Sequence, residues 1–230
     1  MTVTVIGDNT GDDYSGTIDG EMWSHTSGED TNDGSNTKFY CAEFGSTDWR
    51  VTALAFTGLS NIGSTEIVSS VSVGLYIHEQ GFADHGIEFR RILRDWVEAE
   101  ITANDWKTSN AWTSQNAQSD GNDRNATAFT SANLGTTTGV YAVITDTSGQ
   151  LLADTQDFID LDASNYGFLL QNSGTTRYYR FASSEGTDGT LPYISVTHAA
   201  AGGRTAISLA HYGGLAAYGG LAGKHGGLAG

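Results

Sequence analysis

An alternation of apolar and polar residues over positions 66–79 constrains the fold of this chain more than any other feature. Apolar side chains share one parity, interrupted by Ser69, and polar or small residues occupy the other; the apolar set is Ile67, Val71, Val73, Leu75 and Ile77. Because successive side chains of a strand point to opposite faces, the pattern predicts a long strand with one buried face. Such strands are typical of antiparallel sheets with one face in water.

Shorter segments of the same kind recur between turns rich in Gly, Asn, Ser and Thr. They predict strands at 2–6, 38–44, 49–57, 86–96, 139–145, 166–171, 176–183 and 192–197. Residues 7–37 are mostly turn-forming and predict a loop with isolated apolar anchors. One short run, 151–159, is compatible with a helix, and no amphipathic helices alternate with the strands. The chain is therefore predicted to be all-β, an antiparallel β-sandwich of the jelly-roll type.

The composition changes after residue 198, which predicts a β-sandwich domain at 1–198 and a glycine-rich, repetitive tail at 199–230. The tail contains GGLA three times and no acidic residue. Glycine at this density opposes an isolated helix, so a flexible linker is one interpretation. A leucine every six or seven positions favours a segment for docking or self-association, with assembly contacts predicted at Leu209, Leu215, Leu221 and Leu228.

The charge balance excludes some partners. With 11 basic and 27 acidic residues, the net charge of −16 disfavours nucleic acid and anionic membranes. The N terminus lacks the basic and apolar regions of a signal peptide, so synthesis and folding in the cytoplasm are expected. Cys41 is the single cysteine and cannot form an intrachain disulfide.

One acidic loop contains residues that could bind a metal ion. Asp30, Asn32 and Asp33 offer the oxygen ligands that Ca²⁺ prefers, but the segment lacks the glycine position and distal glutamate of an EF-hand. Asx turns explain the same residues without a metal. No cofactor is therefore required, and a structural Ca²⁺ at these three residues is the alternative hypothesis.

Three tryptophans, Trp96, Trp106 and Trp112, lie close in sequence and are the candidates for glycan binding, because flat rings on loops stack on pyranose faces. The same rings can fill a β-sandwich core, and packing is the favoured interpretation for each. No G-x-S-x-G motif, P-loop or dinucleotide-binding fingerprint occurs, so we predict that the protein is not an enzyme.

The segment RILRDWVEAEITANDWKTSNAWTS at 91–114 resembles part of the DNRLRE-type domains, a jelly-roll family allied to carbohydrate-binding modules. The matching positions are Asp95, Trp96, Glu98, Thr102, Asn104, Trp106 and Trp112. Three further motifs follow the family order, at 30–35, 165–167 and 181–197, so the resemblance covers most of 1–198. The chain departs from the family at Leu191, where an arginine is usual, and at Asn104 to Trp106. Because of these differences, no binding residue of the family is assigned to a position of this chain.

The resemblance implies a function. Domains of this type occur in secreted bacterial surface proteins and in bacteriophage structural proteins, and the missing signal peptide and GGLAG tail favour the phage context. The expected protein is a non-enzymatic virion component, either a capsid decoration protein or a tail or fibre component, made in the host cytoplasm. Its expected partners are further copies of itself, other virion proteins and host surface glycans. The alternative is a carbohydrate-binding module or adhesin that recognises cell-surface glycans.

Overall fold

The computed structural model describes residues 1–7, 16–45, 48–81, 84–161, 163–173, 177–186 and 190–201. Within these ranges the strands are β1 (Thr2–Ile6), β2 (Thr17–Trp23), β3 (Lys38–Glu43), β4 (Trp49–Phe56), β5 (Glu66–Gly81), β6 (Ile87–Arg91), β7 (Asp105–Lys107), β8 (Asn110–Ala111), β9 (Phe129–Thr130), β10 (Val140–Asp146), β11 (Phe168–Asn172), β12 (Arg177–Ala182) and β13 (Tyr193–Ala200). One α-helix, α1 (Gln150–Asp160), and short 3-10 helices at Thr57–Asn61 and Gln115–Ala117 complete the described elements.

Eleven of the described strands form one curled antiparallel sheet, in the order β1-β13-β5-β12-β3-β4-β11-β6-β9. Strand β10 pairs with β5, strand β2 pairs with β4, and β7 and β8 form a separate ribbon. The predicted all-β class is confirmed, since this sheet is accompanied by little helix.

Strand β5 is the predicted long strand, but a bulge changes its phase. Val68 pairs with His198 and Ser70 pairs with Thr197, which leaves Ser69 as an extra residue. One extra residue reverses the faces of a strand, so Val68 is buried while Ile67 is 40% exposed. The placement of Ile67 on the buried parity is therefore wrong.

Two other predictions are corrected near the start of the chain and after β6. The loop predicted at 7–37 contains strand β2, which pairs with β4 over its full length. Buried Asp19 and Glu21 hide its apolar alternation in the sequence. The strand predicted to extend to residue 96 ends at Arg91, and Ile92 makes only an isolated bridge to Arg124.

The core has two parts because β4 is buried on both faces. Leu54 and Phe56 join a large cluster with β5 and β12, whereas Ala53 and Ala55 join a smaller one. The smaller cluster is completed by side chains from the loops after β6, namely Ile101, Ala103, Trp96, Trp112 and Ala117. These loops therefore form a second layer over the sheet.

Helix α1 confirms the helix-compatible run and packs into the large cluster through Leu151, Phe158 and Ile159. The Asp146 carboxylate accepts hydrogen bonds from the backbone N–H groups of Gly149 (2.7 Å) and Leu152 (3.0 Å) at the start of the helix. A negative charge there also compensates the helix dipole. None of the described helices has the length and apolarity to cross a membrane.

The division into a domain and a tail remains a prediction, but the structure extends the last strand beyond the predicted boundary. Strand β13 continues through Ala200, which pairs with Glu66, so the strand passes the predicted boundary at 198. The predicted assembly leucines of the tail lie outside the described residues, which end at 201.

Candidate functional site

The motifs that carry the family resemblance meet in space. Asn32 Nδ2 donates to the backbone oxygens of Glu98 (2.7 Å) and Ile101 (2.8 Å), which joins the first motif to the second. Trp96 Nε1 donates to the Tyr166 oxygen at 2.7 Å and joins the second motif to the third. Ser184 Oγ lies 3.5 Å from Glu98 Oε1, which brings in the closing motif. We call this set of contacts the motif junction.

Two of the three predicted Ca²⁺ ligands, Asp30 and Asn32, hold loops together at this junction. Both Asn32 Nδ2 bonds go to protein carbonyls, and Asn32 Oδ1 accepts the Gly34 N–H at 3.4 Å, which is an Asx turn. Asp30 Oδ1 accepts a hydrogen bond from Asn104 Nδ2 at 2.8 Å. Among the residues that the structure describes, no group of three or more His, Cys, Asp or Glu side chains could hold a metal. The Asx turn and the bond to Asn104 account for Asn32 and Asp30 without a metal, and Ca²⁺ binding at Asp30, Asn32 and Asp33 stays a prediction.

The three candidate tryptophans differ in burial. Trp96 and Trp112 are each 6% exposed in the smaller core cluster, and Trp112 Nε1 donates to the Thr102 oxygen at 3.0 Å. This burial fits the packing interpretation of Trp96 and Trp112, and their role in glycan binding stays a prediction. Trp106 is half-buried, and the Lys107 ammonium lies 4.4 Å from its ring centroid.

Carboxyl groups of different burial lie beside Ser184, the buried Asp19 and the half-buried Glu98 and Glu185. Asp19 is 1% exposed, and burial raises its pKa to about 8, although its Oδ2 accepts the Ser184 N–H at 2.6 Å. Burial also raises the pKa of Glu98, and the nearby Glu185 carboxylate contributes in the same direction. Glu21 is a separate buried carboxyl whose pKa rises to about 7 through burial, opposed by Arg50 at 2.9 Å. Raised pKa values of this kind predict that the free energy of unfolding depends on pH.

A cleft of about 560 Å³ lies between the segment after β2, Trp49 and residues 114–118. It is lined by Ser24, His25, Thr26, Glu29, Trp49, Ser114, Gln115, Asn116 and Gln118. The His25 ring is stacked on Trp23 at a centroid distance of 5.3 Å, and Trp49 Nε1 donates to the Gly45 oxygen at 3.1 Å. The lining therefore combines two aromatic rings with hydroxyl, amide and carboxylate groups.

One wall of the cleft has unusual backbone geometry. Asn116 (φ 58°, ψ 31°) and Ala117 (φ 57°) are both left-handed, which is costly for residues other than glycine and is often found at functional sites. The Asn116 N–H donates to the Ala103 oxygen at 2.8 Å, and its backbone oxygen accepts from Gln118 Nε2 at 3.0 Å. Its side chain is 1% exposed, yet Oδ1 has no hydrogen-bond partner among the described residues.

The described residues thus define an all-β antiparallel domain with a cleft of mixed polar and apolar lining, in the size range of small-molecule sites. Sequence reasoning missed this cleft because its residues come from three separate segments and form no motif. Comparisons of the chain with protein-family models and with curated proteins found no match.

Proposed function

We propose that this protein is a non-enzymatic structural component of a bacteriophage virion, a capsid decoration protein or a tail or fibre component that displays a jelly-roll domain. The motif junction is the observation that supports this proposal. Residues as distant as Glu98 and Ser184 meet through it, as expected if the resembling segments together hold one fold. The curled antiparallel sheet is compatible with a jelly roll. The glycine-rich tail supplies the assembly contact.

Removal of the tail tests this proposal. The truncated chain should end at residue 201, because Ala200 still pairs with Glu66 in β13. We expect the full chain to be a defined oligomer by light scattering and to enter virions, and the truncated chain to be a folded monomer that does not. A full-length control with serine at Leu209, Leu215, Leu221 and Leu228 separates loss of these side chains from loss of length. Normal incorporation of the truncated chain would contradict the proposal.

A second function, carbohydrate binding as a module or adhesin, is favoured by the cleft. Aromatic walls can stack on a pyranose ring while hydroxyl, amide and carboxylate groups bond its hydroxyls. Both kinds of group line this one cleft, with Trp49 and His25 as the rings. A virion component that displays such a cleft can also serve as an adhesin, so the two functions are compatible.

A pair of variants tests carbohydrate binding. Trp49→Ala removes an aromatic wall and is expected to weaken glycan binding about fivefold, since ring contacts contribute on the order of 1 kcal/mol. Trp106→Ala removes a half-buried ring outside the cleft lining and should leave affinity unchanged. Binding is measured on a glycan array and by calorimetry, with thermal melts to verify folding. The opposite result, loss only with Trp106→Ala, would place binding at Trp106.

A further inference from the structure

Four strands share one outward face. Strand β5 pairs with β13 along one edge and with β10 along the other, and β13 pairs with β1. Paired residues lie on the same face of a sheet, and the row formed by Val73, Ile144 and Ile194 is buried in the core. The alternate residues of these strands therefore point away from the core. We call this surface the tyrosine face; its main side chains are Val3, Ser72, Tyr76, Tyr141, Val143 and Tyr193.

The tyrosine face carries no fixed charge. None of the outward residues of β1, β10 and β13, or of β5 from Ser70 to His78, is Asp, Glu, Lys or Arg. The whole chain, by contrast, has 27 acidic and 11 basic residues. Val3 and Val143 are 56% and 57% exposed, so apolar side chains meet solvent here.

The rings on this face lie flat. Tyr141 packs against Tyr76 and Tyr193, with ring centroids 5.3 and 5.4 Å away. Gly74 leaves room for the Tyr193 ring, which a side chain at position 74 would strike. The ring therefore lies along the sheet and does not project from it. Val143 pairs with Gly74 on the other side, so it lies beside this flat, ring-covered area.

The charge of the chain decides which partner fits. Two copies with a net charge of −16 repel each other, and the repulsion is least where neither presents a carboxylate. No charge has to leave water when two such faces meet. Interface centres are likewise depleted of charged residues and enriched in tyrosine. A basic partner would be attracted to the acidic parts of the surface, whereas a second copy of this chain suits the uncharged part.

The size of the face sets the strength of the contact. Four strands about 4.8 Å apart and about seven residues long cover on the order of 400 Å². A standard interface covers about 800 Å² on each partner. One pair of faces therefore associates weakly, in agreement with the monomer expected for the chain truncated at residue 201. Such contacts add up where copies are already held together by another element.

We propose that the tyrosine face is a self-association surface through which two copies of this chain pack sheet against sheet. The two faces lie about 10 Å apart, as in the packing of one sheet on another. Val143 is buried between the copies. This contact is additional to the tail contact proposed above, and it does not involve the cleft.

Sedimentation velocity of the full chain over a concentration series tests the contact. Val143→Asp and Val143→Lys each place a charge in the buried contact, and we expect both to weaken self-association about tenfold or more. Val143→Thr keeps a branched, uncharged side chain and should associate as the wild type does. Leu161→Asp adds the same charge at a 71% exposed side chain outside this face and should also leave association unchanged. Thermal melts verify that each variant is folded.

The two charge variants separate burial of Val143 from a general effect of net charge. Val143→Lys reduces the net negative charge, so stronger association of this variant would overturn the inference. Unchanged association of both charge variants would also overturn it. If Val143→Asp then still blocked entry into virions, the face would bind a different virion protein. A full chain that is monomeric at every concentration would overturn self-association altogether.

The tail and the face can fail independently. If truncation at residue 201 dissociates the protein and the Val143 variants do not, the tail contact stands and the tyrosine face is overturned as an interface. If the Val143 variants dissociate the protein and truncation does not, the face is the assembly contact and the tail proposal fails.

Discussion

Replacing Trp96 by alanine is expected to lower the free energy of unfolding by about 3–5 kcal/mol, the range for truncating a buried aromatic side chain. The ring lies in the smaller core cluster, between the sheet and the loops that cover it. Its indole N–H satisfies the Tyr166 backbone oxygen at 2.7 Å, so the variant also leaves that acceptor without its donor. The effect combines a cavity with a lost hydrogen bond.

Urea denaturation measures the loss in the free energy of unfolding. Two further variants serve as comparisons. Trp96→Phe keeps part of the ring and should be destabilised less than Trp96→Ala. Trp106→Ala removes a half-buried ring and should also cost less. If Trp96→Ala unfolded at the wild-type urea concentration and lost glycan binding instead, Trp96 would be a binding residue and the packing interpretation would fail.

The protein is also expected to become less stable as the pH rises from about 4 to about 8. Burial raises the pKa of Asp19 from 3.8 to about 8, so the folded chain keeps a proton that the unfolded chain has released in this range. Stability from this group is complete below the unfolded pKa and is lost as the pH rises through the folded one. Glu21, with its pKa raised to about 7, contributes in the same direction. Together they predict a loss on the order of a few kcal/mol.

Thermal melts of the Asp19→Asn variant between about pH 4 and pH 8 test whether Asp19 causes the pH dependence. The amide keeps an acceptor for the Ser184 N–H, which now bonds Asp19 Oδ2 at 2.6 Å, and it cannot ionise. We therefore expect the variant to lose much of the pH dependence and to melt above the wild type near pH 8. Asp95→Asn, at an exposed carboxylate, should leave the profile unchanged. A profile for Asp19→Asn parallel to that of the wild type would show that Asp19 is not the group responsible.

Local patterns of apolar and polar residues predict many of the secondary-structure elements. The alternation in β5 and the short run of α1 predict these elements because strand and helix periods are expressed over neighbouring residues. The same logic fails at β2, where Asp19 and Glu21 occupy buried positions that look like loop chemistry. Their partners, Ser184 and Arg50, lie far away in sequence.

The burial of the candidate tryptophans and the formation of the cleft both depend on contacts between segments that are distant in sequence. Tryptophans on a loop suit either a sugar or a core, and Trp96 and Trp112 are buried because those loops fold over the outer face of β4. The cleft brings the segment after β2 to Trp49 and the loop at 114–118, and the unpartnered Asn116 Oδ1 exists only in that arrangement. The sequence thus supplies periodicity and composition, which act over a few residues. Burial and the cleft arise from packing between distant segments, which no local pattern encodes.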